Sequence, residues 1–215
     1  AGLALAVLAS PSTVRAAEDD LRLWTGVTAT APVAENLTAG LMVQPRFSQD
    51  VDELERVVVR PWLGMRVGPL DVAIGYDAHV IEHPVETTEH RIWPEAALRH
   101  GLAGFGVGHR VRLESRLLEG VGGASVRVRY LLALTHAIGT SPLTARVANE
   151  IFLGLNEKRN GPPRGFDENR TYVGLALEVA PRWRLDGGYQ LQYIDFRGRR
   201  DAANHTIVLG LAYAH

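Results

Sequence analysis

Two neighbouring stretches, HRVRLESRLLE (residues 109–119) and ASVRVRYLLALTH (residues 124–136), decide how this chain folds. In the first, Val111, Leu113 and Leu117 alternate with Arg110, Arg112, Glu114 and Arg116. In the second, Val126, Val128, Tyr130, Leu132 and Leu134 alternate with Arg127, Arg129, Ala133 and Thr135. A period of two sends successive side chains to opposite faces of a strand. Each stretch is a strand with one apolar face and one face crowded with charge.

The same pattern runs outward in both directions. Eleven segments read as strands: 21–31, 37–47, 54–67, 70–82, 88–101, 107–119, 125–137, 143–155, 168–179, 184–196 and 205–213. Soluble strands typically have about 5 or 6 residues, whereas a tilted strand of about 9 to 11 crosses a bilayer. These segments suit a membrane and are long for a sandwich. Their links alternate in length. Gly68-Pro69, LAGFG (102–106), IGTSP (138–142) and APRW (180–183) are tight. HPVET (83–87), GVGG (120–123), NEKRNGPPRGFD (156–167) and RGRRDAAN (197–204) are polar and mostly longer. Short periplasmic turns on one rim and longer outer loops on the other mark an antiparallel outer-membrane barrel. With no repeat, heptad or βα alternation, residues 18–215 are expected to form one all-β transmembrane barrel.

Sorting the faces gives the reason for the arginines. One face collects Val57, Val59, Leu63, Val72, Ile74, Val173, Leu175, Leu209 and Leu211. The other collects Arg60, Asp77, His79, Glu89, Arg91, Glu95, Arg110, Arg112, Glu114, Arg116, Arg127, Arg129, Arg146, Glu150, Arg170, Gln190 and Gln192. A soluble sandwich would also accept this division. The polar face, however, is rich in Arg and Glu rather than Lys, Thr and Ser, and Arg forms bidentate pairs in partly buried places. An inverted sheet accounts for both faces. Arg and Glu interlock in a narrow lumen, lipid takes the apolar face, and closure satisfies the backbone.

Composition narrows the alternatives. The chain has 215 residues, a net charge of −1, 46% hydrophobic residues and no cysteine. Near-neutral charge argues against a nucleic-acid partner. The lack of cysteine excludes disulfide scaffolds and Cys-based zinc sites. The stretch AGLALAVLASPSTVRAA (1–17) reads as the remnant of a secretory leader, with Val14 and Ala16 suiting cleavage after Ala16 or, less ideally, Ala17. No later stretch has the about 18 apolar residues of a membrane helix. Trp24, Trp183 and Tyr213 lie near segment ends, where interfacial aromatics are expected. Single-chain bacterial barrels normally have even strand numbers, so the eleven segments predict ten strands if the first does not span, or twelve if one is missed.

The order of WTGV near Trp24, RPWLGM, GYD, EHRIWPE, RVRLESR, VRVRY, ANEIFL, FDENRTYVGL and GGYQLQY resembles the domain-of-unknown-function 2490 family. The resemblance covers residue 21 to the C-terminus. It implies a bacterial outer-membrane β-barrel and carries over no catalytic residues.

Motifs for chemistry are weak. Ser115 falls on the apolar face, and His136 and Ser141 are close in sequence without a nucleophile elbow, so no set of nucleophile, base and orienting group emerges. His79 and His83 share strand parity around Glu82, and His90 and His100 flank Glu95, but neither set has a matching partner for a metal. GFGVG (104–108) leads into a strand rather than a helix and reads as a hairpin turn, not a phosphate loop. The loop 156–170, with Lys158, Arg159, Arg164 and Arg170, is either an outer loop that touches lipopolysaccharide phosphates or gates a pore, or a solvated loop made turn-prone by Pro162, Pro163 and Gly165. The arginine ladder remains. Arg91, Arg110, Arg112, Arg116, Arg127, Arg129, Arg146 and Arg170 either bind or conduct an anionic solute, or neutralise Glu95, Glu114, Glu150 and their neighbours and fill the barrel.

The expectation is a monomeric outer-membrane barrel of about 10–12 strands. Its role is envelope structure or narrow passage of a small, anionic solute, with lipid and lipopolysaccharide as partners. No enzyme activity, cofactor or metal is expected. The alternatives are a secreted soluble barrel or sandwich that binds a small ligand and, behind it, an outer-membrane hydrolase.

Overall fold

The computed structural model describes residues 18–157, 164–196 and 201–215. The expected leader at 1–17 lies outside the described residues, as do Lys158, Arg159, Pro162 and Pro163 of the longest loop. Every regular element among the described residues is a strand. In order they are β1 (Glu18–Ala34), β2 (Leu37–Ser48), β3 (Glu53–Val67), β4 (Leu70–Ile81), β5 (Thr87–Leu102), β6 (Phe105–Leu118), β7 (Ser125–Ala137), β8 (Leu143–Gly154), β9 (Gly165–Ala180), β10 (Trp183–Ile194) and β11 (Ala202–Ala214). Each pairs with its sequence neighbours, and β1 meets β11 to close a barrel. The links at 35–36, 68–69, 103–104, 138–142 and 181–182 form one rim, and the longer links form the other. The tightest turns use the left-handed region, with Gly68 at φ 57° and Gly104 at φ 82°.

The expectation of ten or twelve strands is corrected to eleven among the described residues: the first segment is a strand of the barrel wall. An odd number of up-and-down strands must close through one parallel pair. Here β1 runs alongside β11 from Glu18 opposite Ala202 to Thr30 opposite Ala214. Consequently β1 starts at the long-loop rim while β11 ends at the short-turn rim. Evenness is a habit of bacterial barrels, not a requirement of hydrogen bonding, and a parallel seam satisfies the backbone equally.

The stagger of the barrel can be followed rung by rung. Pro32 lies opposite Thr38, then Gly64, Ala73, Glu95, Arg112, Arg129, Phe152, Glu168, Ile194, Ala202 and finally Glu18, fourteen residues from the start. With a rise of about 3.3 Å per residue and strands about 4.8 Å apart, eleven strands with this stagger tilt by about 40°.

Period two holds along the strands. Ile74, Ile92, Val111, Val173 and Leu209 are exposed on the outer wall, while Asp77, Glu114, Arg112 and Arg127 are buried inside. Five aromatics turn into that interior: Trp24, Trp93 and Phe152 are buried, and Trp62 and Tyr172 are half-buried. Trp24 therefore does not belong to an interfacial girdle. Its even position on β1 turns it into the lumen. The interior rings need glycine beside them: a Cβ on Gly75 would overlap the Trp93 ring, and one on Gly40 the Trp62 ring.

Candidate functional site

The lumen is organised around two buried carboxylates. Glu114, fully buried on β6, accepts hydrogen bonds from Arg127 Nε at 2.7 Å and Arg129 Nη1 at 2.5 Å, both from β7. Glu150 on β8 accepts from Arg129 Nε and Nη2, both at 2.9 Å, and from Arg110 Nη2 at 2.6 Å. The lattice extends to both sides. Arg112 Nε donates to Glu95 at 2.7 Å, Arg91 Nη2 to Glu89 at 2.8 Å, and Arg116 pairs with the same Glu89. Arg127 Nη1 also reaches Asp167 at 3.0 Å, and Arg170 pairs with Glu168. Consecutive strands place these groups on one inner wall: Arg129 bridges Glu114 and Glu150 on the strands beside its own, Arg127 joins Glu114 to Asp167, and Arg91 and Arg170 pair with acids on their own strands.

Aromatic faces take what the carboxylates leave. The Arg112 guanidinium lies 3.7 Å from the Trp93 ring centroid, and Arg127 and Arg129 lie 4.7 and 4.5 Å from that of Phe152. Trp93 Nε1 donates to Asp77 at 2.6 Å, and Arg60 donates to both oxygens of Asp77 at 2.7 Å. Stacked and paired guanidinium groups of this kind fill space as well as neutralise charge.

Of the eleven residues singled out from the sequence, ten enter this lattice: Arg91, Glu95, Arg110, Arg112, Glu114, Arg116, Arg127, Arg129, Glu150 and Arg170. Arg146 does not. It makes no ion pair among the described residues, and its guanidinium stands 5.7 Å from the Tyr172 ring centroid. A second arginine without a carboxylate was missed in the sequence. Arg46 is buried on β2, donates to Gln44 at 2.9 and 2.7 Å, and lies 3.9 Å from the Trp24 ring centroid. Its even position on β2 was the available signal, obscured because β2 carries only this one charge.

Three cavities follow one another along the lumen. The upper one, about 290 Å³, lies between Arg22, Glu55, Arg116, Asp167 and Asp195 beneath the long loops. The lower one, about 400 Å³, opens among Arg99, Glu178 and Thr144 near the short turns. The middle one, about 340 Å³, is lined by eight arginines, including Arg46 and Arg146, against two carboxylates, Glu150 and Asp186. Two buried donors on its wall, Trp24 Nε1 and Gln190 Nε2, have no acceptor among the described residues. Excess positive charge and unused donors in a confined space make this chamber suited to an anion.

The other sequence candidates are not brought together. His79 is buried 3.6 Å from Asp77, whereas His83 pairs with Glu53 at 2.7 Å. His90 and His100 face outward while Glu95 faces the lumen, and no group of three metal-ligating side chains forms among the described residues. His136 Nδ1 lies 3.1 Å from the Gly104 carbonyl, while the Ser141 hydroxyl donates to Ile138 O at 2.6 Å, so they do not form a pair. Ser115 lies opposite Ile92 and Val126 on the outer wall. GFGVG supplies the end of a hairpin turn and the start of β6.

Fold and lumen together define a closed β-barrel with an apolar outer wall and an arginine–carboxylate interior. The chain belongs to the family described as "Protein of unknown function (DUF2490)", whose model matches residues 21–204. It is 25% identical over 198 residues to an uncharacterized protein of Methylorubrum extorquens, an alignment covering 89% of this chain and 86% of that protein. No solved structure matches it.

Proposed function

We propose that this chain is a monomeric barrel of the bacterial outer membrane whose lumen admits a small anion into the middle chamber and lets it pass slowly. The observation that carries this reading is the pair Arg46 and Arg146, two guanidinium groups without a carboxylate in a chamber of eight arginines and two acids. A protein that used arginine only as filler would match each with an acid, because an unmatched buried charge is costly. The Glu114–Arg129–Glu150 lattice occupies one side of the lumen, so the path suits solutes of a few atoms and not oligosaccharides. The membrane part of the reading is supported by the outer wall, where exposed Val, Leu and Ile follow one another on every strand. Lipid and lipopolysaccharide are then the partners of that wall.

The test is conductance in planar bilayers under a potassium chloride gradient. The expected result is a small, anion-selective current. Arg46→Gln combined with Arg146→Gln should lower the chloride-to-potassium permeability ratio by about tenfold, the equivalent of about 1.4 kcal/mol. Absence of any current removes passage and leaves a sealed envelope barrel. Recovery of folded protein from buffer without detergent removes the membrane and favours a secreted ligand-binding barrel.

A further inference from the structure

Four outward histidines are regularly spaced on two strands; another, His109 on β6, lies between their levels with its ring nitrogens taken up by His100 Nε2 at 3.2 Å and Tyr130 Oη at 2.9 Å. On β5, His90 and His100 both face outward, ten residues apart, with Ile92, Pro94, Ala96 and Leu98 between them. Across the barrel the parity of β11 repeats the arrangement: His205 and His215 are ten residues apart, with Ile207, Leu209, Leu211 and Tyr213 between them. Ten residues at a rise of about 3.3 Å and a tilt of about 40° span about 25 Å along the barrel axis.

The stagger relates these positions around the wall. Each residue along a strand climbs about 2.5 Å, and each step to the next strand along a rung rises about 3 Å. On this scale His90 and His205, on strands β5 and β11, lie within about 2 Å of one plane. His100, Phe105, His136, Trp183, Tyr213 and His215 lie within about 3 Å of a second plane, about 25 Å below the first. Between the planes no Lys, Arg, Asp or Glu among the described residues faces outward, although the same strands carry a dozen such groups inward.

The side-chain contacts agree with two edges. At the upper plane each histidine is tied to a tyrosine of the preceding strand: Tyr76 Oη lies 2.5 Å from His90 Nδ1, and Tyr189 Oη lies 2.6 Å from His205 Nδ1. Those phenols start from the middle of the wall, and their hydroxyls meet the histidines at its edge, leaving Nε2 of each ring for an outside acceptor. At the lower plane the rings pack on one another: Phe105 on His136 with centroids 5.0 Å apart, and Trp183 on Tyr213 at 4.9 Å. Rings with an apolar body and a polar edge favour the water–hydrocarbon boundary.

We infer that the two belts mark the two headgroup planes of a bilayer whose hydrocarbon layer is about 25 Å thick, the height of the apolar band in outer-membrane barrels. His90 and His205 meet headgroup oxygens on the long-loop side, and His100, His136 and His215 on the short-turn side. The barrel axis then stands along the membrane normal, since planes drawn from opposite sides of the barrel coincide. This rests on the membrane reading above but is independent of what the lumen carries.

The absence of cysteine makes the test direct. Single cysteines at 88, 90, 92, 96, 98, 100 and 102 on β5, and at 203, 205, 207, 209, 211 and 213 on β11, would carry nitroxide labels in dioleoylphosphatidylcholine vesicles. Collision rates with oxygen and with a water-soluble nickel chelate report depth. The expected profile is water-like at Thr88→Cys and Leu102→Cys, crosses over at His90→Cys and His100→Cys, and is deepest at Ala96→Cys. On β11 the crossover falls at His205→Cys and the maximum at Leu209→Cys. An inserted protein whose crossovers fall elsewhere, or differ in depth between β5 and β11, overturns the belts and leaves the membrane reading standing. Labels that are water-like at every position, with protein left in the vesicle-free supernatant, overturn both.

Discussion

Arg129 and Glu150 meet on neighbouring strands as a bidentate pair, Nε to Oε1 and Nη2 to Oε2, each at 2.9 Å. The third donor of Arg129 reaches Glu114, so one guanidinium holds two buried carboxylates from strands on either side of its own. Arg129→Ala should lower the unfolding free energy by about 3 to 5 kcal/mol, because it leaves both acids short of a partner in the interior. Arg129→Lys should recover only part, since an ammonium cannot fork onto two acceptors in fixed directions. Urea unfolding in detergent micelles checks both. Near-equal midpoints for the wild type and the alanine variant would show that the lattice is not holding the wall together.

The outer wall gives the opposite response to arginine. Ile74 and Val173 lie about midway between the histidine belts, and arginine at either should cost about 2 to 4 kcal/mol in a bilayer. Val128, close to the upper belt, should tolerate arginine at about 0 to 1 kcal/mol. Unfolding in vesicles ranks the three. Equal and negligible costs would mean that these side chains meet water.

How much of this was legible in the sequence follows from which contacts are local. Alternation in Ser125–Ala137 and its neighbours set each strand's faces, because parity needs no knowledge of the partner strand. The ion pairs were not legible in the same way: Arg110 and Glu150 are forty positions apart, and their meeting depends on the fourteen-residue stagger. Residue types alone left anion binding and neutralisation both open, and the places of Arg46 and Arg146 decide between them: Arg46 meets Gln44 on its own strand and Arg146 faces Tyr172 on the next, instead of acids. Trp24 looked interfacial by its place near a strand start, and parity, which put it inside, was the better guide. Strand number was present in the eleven segments and was lost only by imposing the even count of bacterial barrels, since nothing in the side chains of β1 and β11 announced that they would close in parallel.

Glycine positions under aromatic rings separate packing from propensity. Gly75→Ala should destabilise by about 1 to 3 kcal/mol, because the new methyl group would have to displace the Trp93 ring. Gly64→Ala is the control. Its Cβ would meet nothing closer than Val72 O at 3.5 Å, and alanine costs less backbone entropy in a strand. The control should be neutral or slightly stabilising by thermal unfolding in detergent. If both glycines respond alike, the rings are not seated against the wall.

The parallel seam makes the most discriminating prediction. Val27 on β1 lies opposite Leu211 on β11, and both face outward. Neighbouring strands bring such Cα atoms within the roughly 4.4 to 6.8 Å range that a disulfide spans, and a chain without other cysteines allows only the intended bond. Val27→Cys with Leu211→Cys should therefore cross-link on mild oxidation and run faster on unboiled gels. Val27→Cys with Ile207→Cys, on the same face but four residues out of register, should not. In a ten-stranded barrel β1 would leave the wall and β2 would meet β11 in its place. Leu41→Cys with Leu211→Cys would then be close enough to react, whereas with β1 inserted between them they are two strands apart. A disulfide in that pair and none in the first would show that β1 lies outside the barrel. It would also remove Trp24, and with it the ring on which Arg46 rests, from the middle chamber.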